Sequence, residues 1–197
     1  AQSPKHLGLY YKYGFRPRFL TAIMSKPVQV TTRRKSEWSA YSQISERERE
    51  ESLKACGDVT ASIYQGLDVG REIQSVQAQG LGETVLLHDG QDLVGFAVCH
   101  CGPGTEAGNQ KCYVKFAAVK PGAVAEARFD QLLDACEELA VTRSLARVEA
   151  GTNLARHEAY GKLLARGFRT DIQGVTMHRP NEEGYSRAGV YVSDDWR

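Results

Sequence analysis

Residues 110–152 read QKCYVKFAAVKPGAVAEARFDQLLDACEELAVTRSLARVEAGT, and their order of apolar runs decides the fold class. QKCYVKFAAV is an apolar, aromatic and β-branched run of strand length, broken by Pro121-Gly122. From 123 to 144 the apolar residues return every three or four positions, the period of an amphipathic helix. LARVEAGT, 145–152, is strand-like again. Strand, helix and strand in succession form a crossover, so the two strands are parallel and the connection right-handed.

Upstream, ETVLLHDGQDLVGFAVCHC (83–101) reads as a hairpin turning at or near Asp89-Gly90. GPGTEAGN (102–109) is the loop to the next strand. SEREREESLKACGDVTASIYQG (45–66) opens with Ser45 and Glu48 in capping-box spacing and carries Leu53, Cys56, Val59 and Ile63 on one side. DVGREIQSVQAQG (68–80) is a shorter helix. Downstream, NLARHEAYGKLLARG (153–167) reads as a helix with Asn153 as its N-cap, followed by two short strands to 180. AGVYV (188–192) reads as one more short strand. Three antiparallel strands and then a parallel crossover imply an α/β mixed, mostly antiparallel central sheet with helices on both faces.

The segment RGFRTDIQGVTMHRP (166–180) has an earlier echo in YGFRPRFLTAIMSKP (13–27). Gly14, Phe15, Arg16, Met24 and Pro27 recur as Gly167, Phe168, Arg169, Met177 and Pro180, each 153 positions on (167 − 14 = 153). Gly8 and Gly161 extend the register. Residues 4–27 therefore read as a helix and two strands that repeat the end of the domain. The expected organisation is a tail at 1–27, a polar linker at 28–44 and a complete domain at 45–197.

With 42% hydrophobic and 25% charged residues the composition is globular, and a net charge of +1 gives no support to a nucleic-acid or membrane-surface partner. No apolar run approaches the ~18 residues that span a bilayer. Arg33-Arg34-Lys35 reads as part of the solvated linker. Five cysteines on helix- and strand-like segments fit a reducing, cytoplasmic setting better than a disulfide scaffold. Cys99, His100, Cys101, Cys112 and His88 cluster on neighbouring strands. A C-x-C within a strand is weak as a zinc signal, so the expectation is no metal.

The element order over 45–180, with VKPGAVAEARFDQLL and AYGKLLARGF as local signatures, resembles the GNAT acyltransferase family. The resemblance implies an N-acetyltransferase that uses acetyl-coenzyme A and lets a small-molecule or peptide amine attack the thioester directly in a ternary complex. It implies a tandem parent: the tail of one GNAT domain, then a complete second one. The strand end at Ala118 and Val119 would then hold the pantetheine arm. The backbone of Val124, Ala125, Ala127, Arg128 and Phe129 would face the pyrophosphate at a helix start. The family pattern places a basic or Gln residue at 124 and glycines at 127 and 129. This chain has Val, Ala and Phe there. The family's acid, a Tyr four residues before Gly-Phe, matches Tyr10 in the first copy but is Leu163 in the second.

Tyr160, one turn earlier, is either a substitute acid or an aromatic at a helix–sheet contact. An Asn that often opens this helix is Arg156 here. Glu149, on an apolar strand, is either a base or a solvent-facing carboxylate. Glu106, in the glycine-rich loop, either meets the amine or is solvated. These departures keep a second reading open, a non-catalytic GNAT-like domain supporting a tandem partner. Leu7, Leu9, Tyr10, Tyr11, Phe15, Phe19 and Leu20 need a cover. That cover is this domain, a second copy in a homodimer, or a preceding GNAT domain contacted through residues 4–27.

Overall fold

The computed structural model describes residue 1, residues 3–28 and residues 37–194. Its elements in chain order are α1 (Pro4–Lys12), β1 (Arg16–Pro27), β2 (Trp38–Ala40), α2 (Glu46–Ile63), α3 (Gly70–Gln79), β3 (Gly82–Asp89) and β4 (Asp92–Cys101). They continue with β5 (Lys111–Val119), α4 (Ala125–Thr142), β6 (Arg147–Asn153), α5 (His157–Ala165), β7 (Arg169–His178) and β8 (Val192–Asp194). The expected α2, with its capping box, forms as read: Ser45 Oγ accepts from the Glu48 N–H, and Glu48 Oε2 accepts from the Ser45 N–H at 2.8 Å. The β3–β4 hairpin and the β5–α4–β6 crossover also form as read.

The eight strands make one sheet in the order β2-β3-β4-β5-β6-β1-β7, with β8 added to β5. Only β5 and β6 are parallel; every other pair is antiparallel. Helices cover both faces. On one, Phe129, Leu132, Leu133, Cys136 and Leu139 of α4, with Ala159 and Leu163 of α5, pack on Val114, Ala117, Val148 and Ala150. On the other, Cys56, Val59 and Ile63 of α2 and Ile73 and Val76 of α3 pack on Leu86, Phe96, Phe116 and Ala118. This is the mixed sheet with two helical layers that the element order implies. No helix among the described residues is long and apolar enough to cross a membrane.

The repeat holds in both helices and in the strand starts, although β7 ends two residues earlier in the register than β1. α1 begins at 4 and ends at 12, and α5 begins at 157 and ends at 165, both 153 positions on. β1 and β7 start at 16 and 169. Gly14 and Gly167 end their helices with φ of 85° and 91°, a conformation that a Cβ would strain. Each copy, however, supplies one long strand where two short ones are expected.

The N-terminal segment also lies inside the sheet. β1 is hydrogen-bonded to β6 on one side and β7 on the other, so residues 16–27 share a sheet with the elements after residue 45. Ala22 and Met24 are completely buried, and Lys26 Nζ reaches Glu137 Oε2 of α4 at 2.8 Å. Glu137 in turn meets Arg166 at 2.9 Å, and Arg166 also pairs with Asp134. The domain thus covers β1 from Thr21 to Lys26, but leaves Leu20 exposed and buries no residue of α1. The expected linker is structured where it is described: Trp38–Ala40 pairs with β3, and Tyr41–Gln43 forms a 3-10 turn. Arg33-Arg34-Lys35 lies outside the described residues.

Candidate functional site

β5 changes partners halfway along. Lys111 to Val114 pair in parallel with Arg147 to Ala150 of β6. The register of β5 against β4 then slips, with Val98 opposite Phe116 and Cys99 opposite Val114, which leaves Lys115 as an extra residue. Such a bulge bends its strand and flips the side-chain alternation. Val114 packs in the α4 layer, while Phe116 packs in the α2–α3 layer. Lys115 is held by Glu72 at 3.3 Å and by Glu106. Burial works against its charge, but the two carboxylates outweigh burial and keep its ammonium above the usual lysine range. Glu106 is therefore tied to the bulge of β5.

Beyond the bulge β5 and β6 diverge, and the edge of β5 at Phe116–Ala118 is free of β6. That edge is taken by β8, with Phe116 opposite Asp194, Ala117 opposite Ser193 and Ala118 opposite Val192. β8 is also tied to β6: Ser193 Oγ donates to the Gly151 carbonyl at 2.7 Å, and Thr152 Oγ1 to the Val192 carbonyl at 3.3 Å. All three residues of β8 are buried. The tail thus fills the wedge between the parallel strands.

Ala118 pairs with Val192 on the wedge edge, and the buried Val119 follows it at the end of β5. Val124 is the N-cap of α4 and exposed, and Ala127 is exposed, so this helix start faces solvent. Ala125 is buried. Arg128 is engaged by Asp89 at 2.9 Å, at the β3–β4 turn. Phe129 lies wholly in the core, its ring 5.7 Å from that of Tyr191 just before β8. Its side chain therefore serves the packing of α4.

The expected catalytic residues stand in three separate places. Tyr10 lines a cavity of about 730 Å³ and packs edge-on against Phe15. Tyr160 is half-buried against the α4 layer. Glu149 is buried, and Lys111 Nζ lies 2.8 Å from its Oε2. It is neither solvent-facing nor in the cavity wall, so it is an ion-paired strand residue. Asn153 is not the cap of α5. Its Oδ1 accepts from Ala155 N at 2.9 Å, its Nδ2 donates to Thr176 Oγ1 at 3.1 Å, and Arg156 holds the N-cap position.

Sequence reasoning gave no role to Arg156, Tyr185, Asp194, Tyr64 or Glu182, all of which line the cavity. Arg156 is 1% exposed. Its Nη2 donates to Asp194 Oδ1 at 2.7 Å, and the Tyr185 hydroxyl donates to Asp194 Oδ2 at 2.6 Å. The arginine standing where the family pattern has an asparagine was the one sequence signal. Beside Tyr185, at 6.0 Å between ring centres, the Tyr64 hydroxyl donates to Glu182 Oε1 at 2.6 Å, and that bond raises the phenol above its usual range. Cys99 and Cys136 pack against each other in the core with sulfurs 4.0 Å apart.

No protein-family model matches the sequence, and no curated protein sequence matches it. Solved structures do match in fold. A GCN5-related N-acetyltransferase from Sphaerobacter thermophilus aligns over 89% of this chain and 56% of its own, with a TM-score of 0.55 and 14% identity. An acetyltransferase of the GNAT family from Colwellia psychrerythraea aligns over 88% of this chain and 60% of its own, with a TM-score of 0.61 and 10% identity. A GCN5-related N-acetyltransferase from Kribbella flavida aligns over 91% and 65%, with a TM-score of 0.51 and 12% identity. The chain has the GNAT fold, and it spans well under the full length of these structures.

Proposed function

We propose that the chain is part of a GNAT-type N-acetyltransferase that uses acetyl-coenzyme A and an amine acceptor. The observation that carries this reading is the wedge that opens at the Lys115 bulge, where β5 offers an edge that accepts an added strand. An extended pantetheine arm adds to such an edge as a strand does. The Phe116–Ala118 edge and the exposed start of α4 around Val124 and Ala127 would hold the cofactor, and only once β8 has left the wedge. When bound, acetyl-coenzyme A supplies the thioester that the amine attacks.

The cavity on the far side of β8 takes the acceptor in this reading. There Glu182, already an acceptor for Tyr64, holds the amine's proton, and Tyr10 is placed to donate one. We also propose that residues 4–27 stem from a preceding GNAT-fold unit of a longer parent. The matched bounds of α1 and α5, the matched starts of β1 and β7, and the greater length of the structural relatives support this.

A second reading, a non-catalytic domain supporting a tandem partner, draws on one observation: Phe129, Tyr191 and β8 fill the wedge. The test that separates the two is thiol release from acetyl-coenzyme A in the presence of a panel of primary amines. Amine-dependent release above the uncatalysed rate supports the first reading. Its absence at saturating cofactor leaves the second.

A further inference from the structure

Arg156 is the largest wholly buried side chain among the described residues, and its hydrogen bonding is incomplete. A guanidinium carries five N–H donors in a planar fork that suits the two oxygens of one carboxylate. Here only Nη2 is engaged, by a single oxygen of Asp194 at 2.7 Å. Nε and Nη1 are buried without a hydrogen-bond partner among the described residues. The other oxygen of Asp194 is committed to the Tyr185 hydroxyl at 2.6 Å, so this carboxylate is shared between two partners.

Arg156 and Asp194 both line the cavity of about 730 Å³, and the guanidinium lies 5.3 Å over the Tyr185 ring. The walls nearby are aromatic, with Tyr10, Phe15 and Tyr64. A buried cation with unfilled donors at a cavity wall, bordered by rings, has the chemistry of a site for a carboxylate with an apolar body. Asp194 sits there on a strand of only three residues.

We infer that Arg156 is the anchor of a carboxylate-binding subsite in this cavity, and that the Asp194 side chain fills it in cis. A free carboxylate meets the fork with both oxygens and competes with Asp194 for it. The ligand class is a small monocarboxylate with an apolar or aromatic tail. Binding at this subsite is independent of acyl transfer and is read without acetyl-coenzyme A.

The experiment titrates the whole chain with 3-phenylpropanoate by calorimetry, with 3-phenylpropanamide as the uncharged control, and follows the Arg156 Nε–H resonance. The acid is expected to bind and to move that resonance, and the amide to do neither. Asp194→Asn removes the competing charge and keeps the shape, so the acid should bind this variant about tenfold more tightly. Arg156→Gln combined with Asp194→Asn removes both charges together, leaves no lone buried ion, and should melt cooperatively without binding the acid. The inference is overturned if acid and amide bind alike. It is also overturned if Asp194→Asn leaves the affinity unchanged or weakens it, or if the folded double variant still binds.

Discussion

Thr21 lies directly across the β1–β7 pair from Gly174, and the two are the same position of the internal repeat, since 174 − 21 = 153. Leu20 faces Val175 and Ala22 faces Gln173, so each copy meets the other about a local two-fold centred on that pair. An isologous contact of this kind is what two copies of one element form when they pair edge to edge. The N-terminal copy is therefore integral to the sheet, and its side chains contribute to the core.

Met24 has no exposed surface and belongs to the α4-side core. Met24→Ala should cost about 3 kcal/mol, by lost transfer and a residual cavity. Tyr13→Ser, at a residue 65% exposed, should change the denaturation midpoint very little. Urea denaturation of both variants checks this. Equal, negligible effects would mean that β1 is not docked.

Lys26 and Glu137 form a buried ion pair that joins β1 to α4. Lys26→Met should destabilise by about 3 kcal/mol, the lower end of the range for a broken buried pair, because Arg166 still faces Glu137. Chemical denaturation at neutral pH gives the number. Glu137→Gln should cost a similar amount, since it leaves Lys26 without a carboxylate while Arg166 keeps Asp134.

His88 is partly buried, and burial pushes its imidazolium below the usual histidine range. The folded state thus holds this proton less tightly than the unfolded chain does. The resulting contribution to stability is full above the unfolded value near 6.5 and falls as pH drops through it toward the folded value. A histidine titration followed by NMR should place the His88 midpoint below those of exposed histidines.

Phe129 is a core residue, so Phe129→Ala should cost about 3–5 kcal/mol. At the temperatures where the variant stays folded, its affinity for acetyl-coenzyme A should be no lower than that of the parent chain. Its ring leaves the filled wedge looser against Tyr191. Thermal melts with and without the cofactor check both parts.

The order of helices and strands was legible because its signals are local. The Ser45–Glu48 cap, the Asp89-Gly90 turn and the 3.6-residue stripe of α4 each fix an element within a few residues. The repeat was legible too, down to the glycines that end its helices. What was not legible depends on distant partners. β1 pairs with residues more than a hundred positions away, and nothing in its own pattern says which sheet receives it. The short strand expected at 188–192 forms instead at Val192–Asp194, sharing only Val192, because its three residues are set by the β5 edge they pair with and not by a period of their own.

The candidate site divides the same way. The strand that carries Ala118 is announced by its apolar run and the Pro121-Gly122 break, and Ala118 pairs with β8 at the wedge, whereas its expected cofactor role came from the family resemblance. Glu149 looked like a free carboxylate because its partner Lys111 sits on the neighbouring strand. Arg156 stood out only as a departure, since the carboxylate that meets it is 38 residues away.

Hydrogen exchange at Val192, Ser193 and Asp194, with and without saturating acetyl-coenzyme A, tests the central claim most directly. If the cofactor adds to the β5 edge, these amides should lose protection while those of Phe116–Ala118 keep theirs. Cofactor binding that leaves the β8 amides protected would contradict the assignment of this wedge as the acyl-donor site.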